Sequence, residues 1–434
     1  MWTLNGSRRR RDCDGHSRRD FLKIGALGTT GLSLPGLLAG RATAAREGRP
    51  VKDTAVVWLW LGGGPTHIET FDPKMTAPVE YRSVTGDVKT KLPGVTLGGQ
   101  FVKTAQVADR FAFVRSFSHQ NSGHGGGTHW VMTGYNNRNI DNGGLPSRPS
   151  IGSILAMHRG ANHPVSGMPT YVRMGGIGSD GPAFLGTAYA PFETNGPARR
   201  NMELASAEER VSDRRSLLTN VDRFRRDADA TGLMDGLDAF ERQAFDLVLG
   251  NAPEAFDLRK EDPKVVERYG RGLGQNLLTA RRLCEAGCGF VTVSYGGWDM
   301  HGRIEQGLTR RGPELDHAMA TFVEDVCARG LQDRILLVVT GEFGRTPKIN
   351  GSAGRDHWAP LSTLALAGGG LKMGQTVGES APKADVPATT PITPQDLMAT
   401  IFHVLGIDAG LQYVNQAGRP VYLLEEGKSI AELV

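Results

Sequence analysis

Several runs in this chain are apolar along their whole length instead of on alternate residues, and no other feature constrains the fold as strongly. Residues 54–61, 290–295 and 334–340 are the clearest. A strand with one wet face alternates; a strand buried on both faces does not, and such strands belong to parallel sheets covered by helices. Residues 111–117, 169–174 and 362–368 are further strand candidates. Between them lie helical patterns. One long helix is expected over 263–286. Another spans 313–328, with Pro313 in its first turn and Leu315, Met319, Phe322, Val323 and Val326 on one side. A last one opens at Thr393-Pro394-Gln395-Asp396, buries Leu397, Ile401, Val404 and Leu405, and stops at Gly406, leaving His403 on the surface. The expected fold is an α/β three-layer sandwich with a largely parallel sheet. It forms one domain over 45–434, with a charged helical insertion at about 198–260. The tail at 418–424 is expected to return as an edge element.

The first 44 residues read as a removable export signal. Ser17-Arg18-Arg19-Asp20-Phe21-Leu22-Lys23 precedes a short, glycine-rich apolar run that closes at Ala42-Thr43-Ala44. The paired arginines resemble the twin-arginine signal, so the twin-arginine export machinery is an expected partner and the periplasm or the exterior the expected location. The run is shorter than the ~20 residues a spanning helix needs, so no stable membrane span is expected after cleavage. This segment carries eight Lys or Arg against three Asp, a net of +5 out of a whole-chain +4, which leaves the mature chain near −1. With no basic stripe downstream, nucleic acid is not an expected partner. Cys13 leaves with the signal, and Cys284, Cys288 and Cys327 lack the CxxC pairing of a zinc framework; buried free thiols are the commoner outcome.

The strand ends carry the chemistry. The first strand runs into Gly62-Gly63-Gly64-Pro65-Thr66-His67, with no Walker lysine or GxGxxG helix to suggest a nucleotide. The second enters a loop holding His119, His124 and His129 among four glycines. Such a set is hard to explain as a core face and reads better as a polar or metal site. The strand at 290–295 delivers Asp299 and His301 in Gly297-Trp298-Asp299-Met300-His301-Gly302, and the strand at 334–340 delivers Glu342, followed by His357. Parallel strands present these ends on one edge, so distant residues can converge. Asp, Glu and His donors suit zinc, manganese or iron(II) better than magnesium, and zinc or manganese is the expected divalent ion, in a number left open.

These motifs, with Phe71-Asp72-Pro73-Lys74, Gly341-Glu342-Phe343-Gly344-Arg345-Thr346-Pro347, Gly354-Arg355-Asp356-His357-Trp358 and Gly418-Arg419-Pro420, resemble the alkaline-phosphatase/sulfatase-like superfamily. Within it they resemble an exported branch known as domain-of-unknown-function family 1501. The resemblance implies that Asp299, His301 and His357 hold one ion, with Glu342, His67 and His124 or His129 forming a second or partial site. Departures are plain. Glu342 and Phe343 stand where the superfamily has an Asp-His pair, and the first-strand aspartate is absent, leaving His67 or Asp72 to compensate. No sulfatase cysteine or serine signature is present, so Thr128 and Ser122 remain only as weak nucleophile candidates near His124.

The implied activity is metal-dependent hydrolysis of phosphate, phosphonate or sulfate esters by activated water, on an anionic small molecule or glycan ester. Glu342, His124, Thr128 and Arg345 are the candidate catalytic residues, and Arg345 and Arg355 the candidate anion-binding groups. The alternative is a non-catalytic metal- or glycan-binding member of the same fold.

Overall fold

A computed structural model describes residues 53–195, 252–415 and 419–434. The export signal and most of the charged insertion lie outside these residues. Eight strands form one sheet: β1 (Ala55–Trp60), β2 (Ala112–Val114), β3 (Tyr171–Met174), β4 (Phe192–Glu193), β5 (Phe290–Ser294), β6 (Ile335–Thr340), β7 (Leu364–Gly368) and β8 (Gln375–Val377). Their spatial order is β8-β2-β7-β6-β1-β5-β3-β4. The central strand β1 pairs in parallel with β5 and β6, setting Trp58 between Thr292 and Val338.

Because successive side chains of a strand point to opposite faces, β1 feeds two cores. Val57 and Leu59 join the layer that includes Leu277, Leu315 and Met319, whereas Val56, Trp58 and Trp60 join the one that includes Ile154, Leu155, Leu397 and Ile401. The first layer is built by α4 (Pro263–Tyr269), α5 (Leu273–Glu285) and α6 (Ile304–Ala328), the second by α2 (His124–Thr133), α3 (Ile151–Arg159) and α7 (Pro394–Leu405). A single turn, α1 (His67–Thr70), follows the glycine turn after β1. The architecture is thus a mixed, mostly parallel sheet between two helical layers.

Four local expectations need correction. The helix expected over 263–286 is broken into α4 and α5, because Gly270 and Gly272 adopt left-handed φ of 70° and 63°. Pro313 lies inside α6, not in its first turn. Buried Ile304 and Leu308 extend the apolar face toward the N-terminus, and their burial offsets the roughly 3 kcal/mol an internal proline costs. The C-terminal residues Pro420–Tyr422 pair with Gln412–Val414 as a separate ribbon, not as an edge of the main sheet. Finally, β7 runs antiparallel to both neighbours, β6 and β2.

That reversal matters for the site. Leu364, the first residue of β7, lies opposite Thr340, the last of β6. The segment entering β7 therefore reaches the same sheet edge as the segments leaving β1, β2, β5 and β6. It forms a short antiparallel ladder, His357 with Arg345 and Trp358 with Gly344, over that edge. Helix α7 shows the capping box its sequence encodes, Thr393 and Asp396 bonding reciprocally, and ends at left-handed Gly406. Among the described residues no helix is long and apolar enough to cross a membrane.

Candidate metal centre

Three segments bring four donors together at the sheet edge. Asp299 comes from the loop after β5. Its Oδ1 lies 3.0 Å from His301 Nε2 and 3.1 Å from His357 Nε2, and its Oδ2 lies 3.4 Å from His124 Nε2. The Nε2 atoms of His301 and His357 are 3.0 Å apart. Donor atoms of His124, Asp299 and His357 all lie within 4.8 Å of one another.

The far side of each imidazole is fixed. His301 Nδ1 meets Asp356 Oδ1 at 2.7 Å, His357 Nδ1 meets the Ser122 carbonyl at 2.9 Å, and His124 Nδ1 meets Glu342 Oε1 at 2.8 Å. All three partners are acceptors that hold a proton on Nδ1, and because Asp299 on the other side is an acceptor too, each Nε2 is left to face either a proton or a cation. With His124, Asp299 and His357 mutually close and His301 beside the last two, these electron-rich groups repel one another unless a proton or a cation lies among them. Two donors held tetrahedrally at the usual zinc distances are ~3.3 Å apart, and the four separations above bracket that value. The residues present fit a divalent ion.

The ring of Phe343 packs on His357 and His124, with centroids 4.4 and 5.1 Å away, and so braces two imidazoles. Left-handed Gly64, with φ of 76°, lets the turn after β1 lie against that ring, where a Cβ would meet it at 2.4 Å.

Asp299 is pinned from behind. Partial burial opposes its ionisation, but the hydrogen bond and positive charge of Arg345 outweigh this and lower its pKa to about 2. Arg345 is fully buried. Its guanidinium donates to Asp299 at 2.5 Å and to the carbonyls of Gly63, Gly64 and Arg355. The hydrogen bond to Glu342 raises the pKa of His124, while desolvation lowers that of His357.

The remaining candidates are engaged elsewhere. His67 is buried in α1, its Nε2 on the Ala384 carbonyl at 2.9 Å. His129 is buried in α2 between the Tyr135 carbonyl, 2.7 Å from Nδ1, and the Ser147 amide, 3.2 Å from Nε2. Asp72 accepts from Ser380 and faces Lys74 and Arg115. Glu342 is buried and touches the cluster only through His124, also accepting from the Gly63 amide at 2.8 Å. Thr128 donates its hydroxyl to the His124 carbonyl at 2.6 Å, and the Ser122 hydroxyl accepts from the Ala359 amide at 3.1 Å. Arg355 is fully buried against Glu69, at 2.8 Å. Neither arginine therefore presents a free guanidinium to a substrate, and among the described residues His124 joins the cluster whereas His67 and His129 lie outside it. Cys284 and Cys288 are buried free thiols and Cys327 a half-buried one.

Asp356 and Glu69 were not singled out in the sequence. Asp356 stands beside His357 in its motif, and a carboxylate adjoining a ligand histidine was the available signal.

Two buried histidines make a testable contribution to acid sensitivity. Burial outweighs backbone hydrogen bonds at both His67 and His119 and lowers each pKa to about 4. Below pH ~6.5 the unfolded chain takes up a proton at each that the folded chain refuses. Stability is therefore expected to fall by about 1.4 kcal/mol per pH unit per histidine as pH drops from ~6.5 toward 4, and not to fall further on their account below that. Urea unfolding midpoints at pH 7, 5.5 and 4.5 measure this, and a flat profile would contradict it.

The family model described as "Protein of unknown function (DUF1501)" matches residues 53–434. No curated protein matches the chain. Among solved structures it is similar to the lipoteichoic acid synthase LtaP from Listeria monocytogenes, with 10% identity and a TM-score of 0.37 over 83% of this chain and 74% of that one. It is similar to the PsFucS1 sulfatase from Pseudoalteromonas sp., with 12% identity and a TM-score of 0.38 over 86% and 70%. It is also similar to the alkaline phosphatase from the Antarctic bacterium TAB5, with 11% identity and a TM-score of 0.38 over 83% and 100%.

Proposed function

The chain belongs to the DUF1501 family, and on that premise we propose that it is an exported metal-dependent hydrolase of phosphate, phosphonate or sulfate esters. One observation carries the reading: the imidazoles of His124, His301 and His357 are held by their Nδ1 atoms so that three Nε2 lone pairs gather around Asp299. Asp299, His124, His301 and His357 would hold the ion. Held there, a divalent ion would supply Lewis-acid polarisation of an ester oxygen and a water acidified to a pKa of ~7. The protein's part is to keep that donor set in place. Arg345 keeps Asp299 ionised and aimed, Glu342 keeps His124 in the tautomer that presents Nε2, and Phe343 stops the His124 and His357 rings from turning. With the Thr128 hydroxyl committed to a backbone carbonyl, activated water suits the site better than a side-chain nucleophile.

Metal analysis of the exported, mature chain tests the reading, and a zinc or manganese content near one ion per chain is expected. Loading with either metal should then give turnover on a panel of phosphate, phosphonate and sulfate esters. A chain that takes up neither metal and cleaves nothing on the panel overturns it.

The burial of Arg345 and Arg355 favours a second reading, a non-catalytic protein that binds a metal or an anionic glycan without turning it over. Glu342→Gln separates the two. An outer partner of a ligand histidine typically contributes 10–100-fold, so the enzyme reading expects turnover to fall by about that factor. The binding reading expects glycan retention with no turnover in either form.

A further inference from the structure

The two carboxylates that hold ligand histidines differ in setting. Glu342 is buried behind His124, whereas Asp356 is half-exposed and lies beside His301. Asp356 is also the immediate neighbour of His357, so one dipeptide supplies a donor to the cluster and the anchor for another donor that arrives from the β5 loop. Its backbone is fixed independently of the cluster. The Asp356 amide donates to Thr346 Oγ1 at 2.9 Å, and its carbonyl accepts from the Thr346 amide at 2.8 Å. Asn350 completes the clamp, donating to the His301 carbonyl at 3.0 Å and to Asp356 Oδ1 at 3.3 Å, while its own Oδ1 accepts from the Ser352 and Gly354 amides. Gly354 packs directly on the His301 carbonyl carbon, where a Cβ would sit at 2.2 Å. The Arg355 amide donates to the Met300 carbonyl at 3.1 Å.

We infer that Asp356 is the positioning residue that sets the tautomer and orientation of His301 and thereby the metal affinity of the cluster. The inference rests on the reading of the cluster as a metal site. Imidazole has two tautomers, and only the one protonated at Nδ1 leaves its Nε2 lone pair for a cation held beside Asp299 and His357. A carboxylate 2.7 Å from Nδ1 selects that form and makes Nε2 a stronger donor. No other hydrogen-bond partner of the His301 ring meets Nδ1 among the described residues, whereas His357 relies on a carbonyl that no side-chain substitution removes.

The test uses the mature, full-length chain. Zinc affinity, measured by chelator competition, should fall about 10–100-fold in Asp356→Asn and be largely restored in Asp356→Glu, with unchanged thermal unfolding of the metal-free forms. Nitrogen-15 shifts of the His301 imidazole in metal-free protein give an independent readout. They should report an Nδ1-protonated ring in the parent and a tautomer mixture in Asp356→Asn. Unchanged zinc affinity in Asp356→Asn overturns the inference and leaves the metal reading standing. A lowered affinity with the His301 tautomer unmoved also overturns it, since Asp356 would then act only through the fold. If the parent chain binds neither zinc nor manganese, the metal reading fails, and the imidazole shifts still decide whether Asp356 governs His301.

Discussion

Asp299→Ala is expected to lower divalent-metal affinity by more than the roughly 10–100-fold typical of an outer-partner change, and with it any ester turnover. Asp299 is the hub of the cluster, since its two oxygens face all three Nε2 atoms. It is also the only carboxylate among the four convergent donors. Without it three imidazoles remain, while the positive guanidinium of Arg345 stays behind the site without its direct partner. That charge would oppose a cation at the position Asp299 now screens. His403→Ala, on the exposed side of α7, is the control and should bind metal as the parent does. Chelator-competition titrations of both variants check the prediction. Equal affinities would falsify the assignment of Asp299 as a ligand. Because the Asp299 carboxylate stays ionised down to pH of about 2, loss of metal on mild acidification should follow protonation of the imidazoles instead.

Glu69→Ala is expected to destabilise the fold by about 3–5 kcal/mol, the usual cost of leaving one member of a buried ion pair unpaired. Glu69 and Arg355 are both fully buried, and the carboxylate accepts from Nε at 3.1 Å and Nη2 at 2.8 Å. Arg355 also donates to the carbonyls of Arg82, Thr346 and Pro347, so its guanidinium draws four chain segments together. The damage should extend to the site, because the Arg355 carbonyl accepts from Arg345, and Asp356 and His357 follow directly in sequence. Urea unfolding gives the stability change. The double variant Glu69→Gln with Arg355→Met is informative: removing both charges should recover a large part of the loss, since the penalty comes from the uncompensated charge and not from the missing attraction. A single variant that unfolds at the parent's midpoint contradicts the account.

Both effects depend on contacts between residues far apart in the chain, and here the limits of sequence reasoning show. The fully apolar runs of β1, β5 and β6 identified a sheet covered on both faces, because only burial of both faces removes the polar alternation. The cap at Thr393 and the stop at Gly406 were legible because capping is a local hydrogen-bonding requirement. The break between α4 and α5 was less so. Glycine permits a left-handed backbone but does not demand it, and only the fold shows the turn that brings Gly274 against the Tyr269 carbonyl.

The candidate site divides along the same line. Asp299, His301 and His357 could be singled out from their residue types and their places after strands, since parallel strand ends share an edge. The partners of each side chain could not. Arg345 and Arg355 had the composition of anion-binding groups, and the fold gives both to buried acceptors. His67 and His129 had the composition of ligands, and the fold encloses each among backbone groups. What the sequence alone determined is the layered α/β architecture and the residue types delivered to one edge, because these follow from burial periodicity and local turn chemistry. Only the tertiary structure decided which imidazoles converge, which nitrogen each presents and which charges are spent in holding the edge together. Those outcomes are fixed by the antiparallel entry into β7 and by hydrogen bonds between segments far apart in the chain, such as those between Glu69 and Arg355 and between His67 and Ala384.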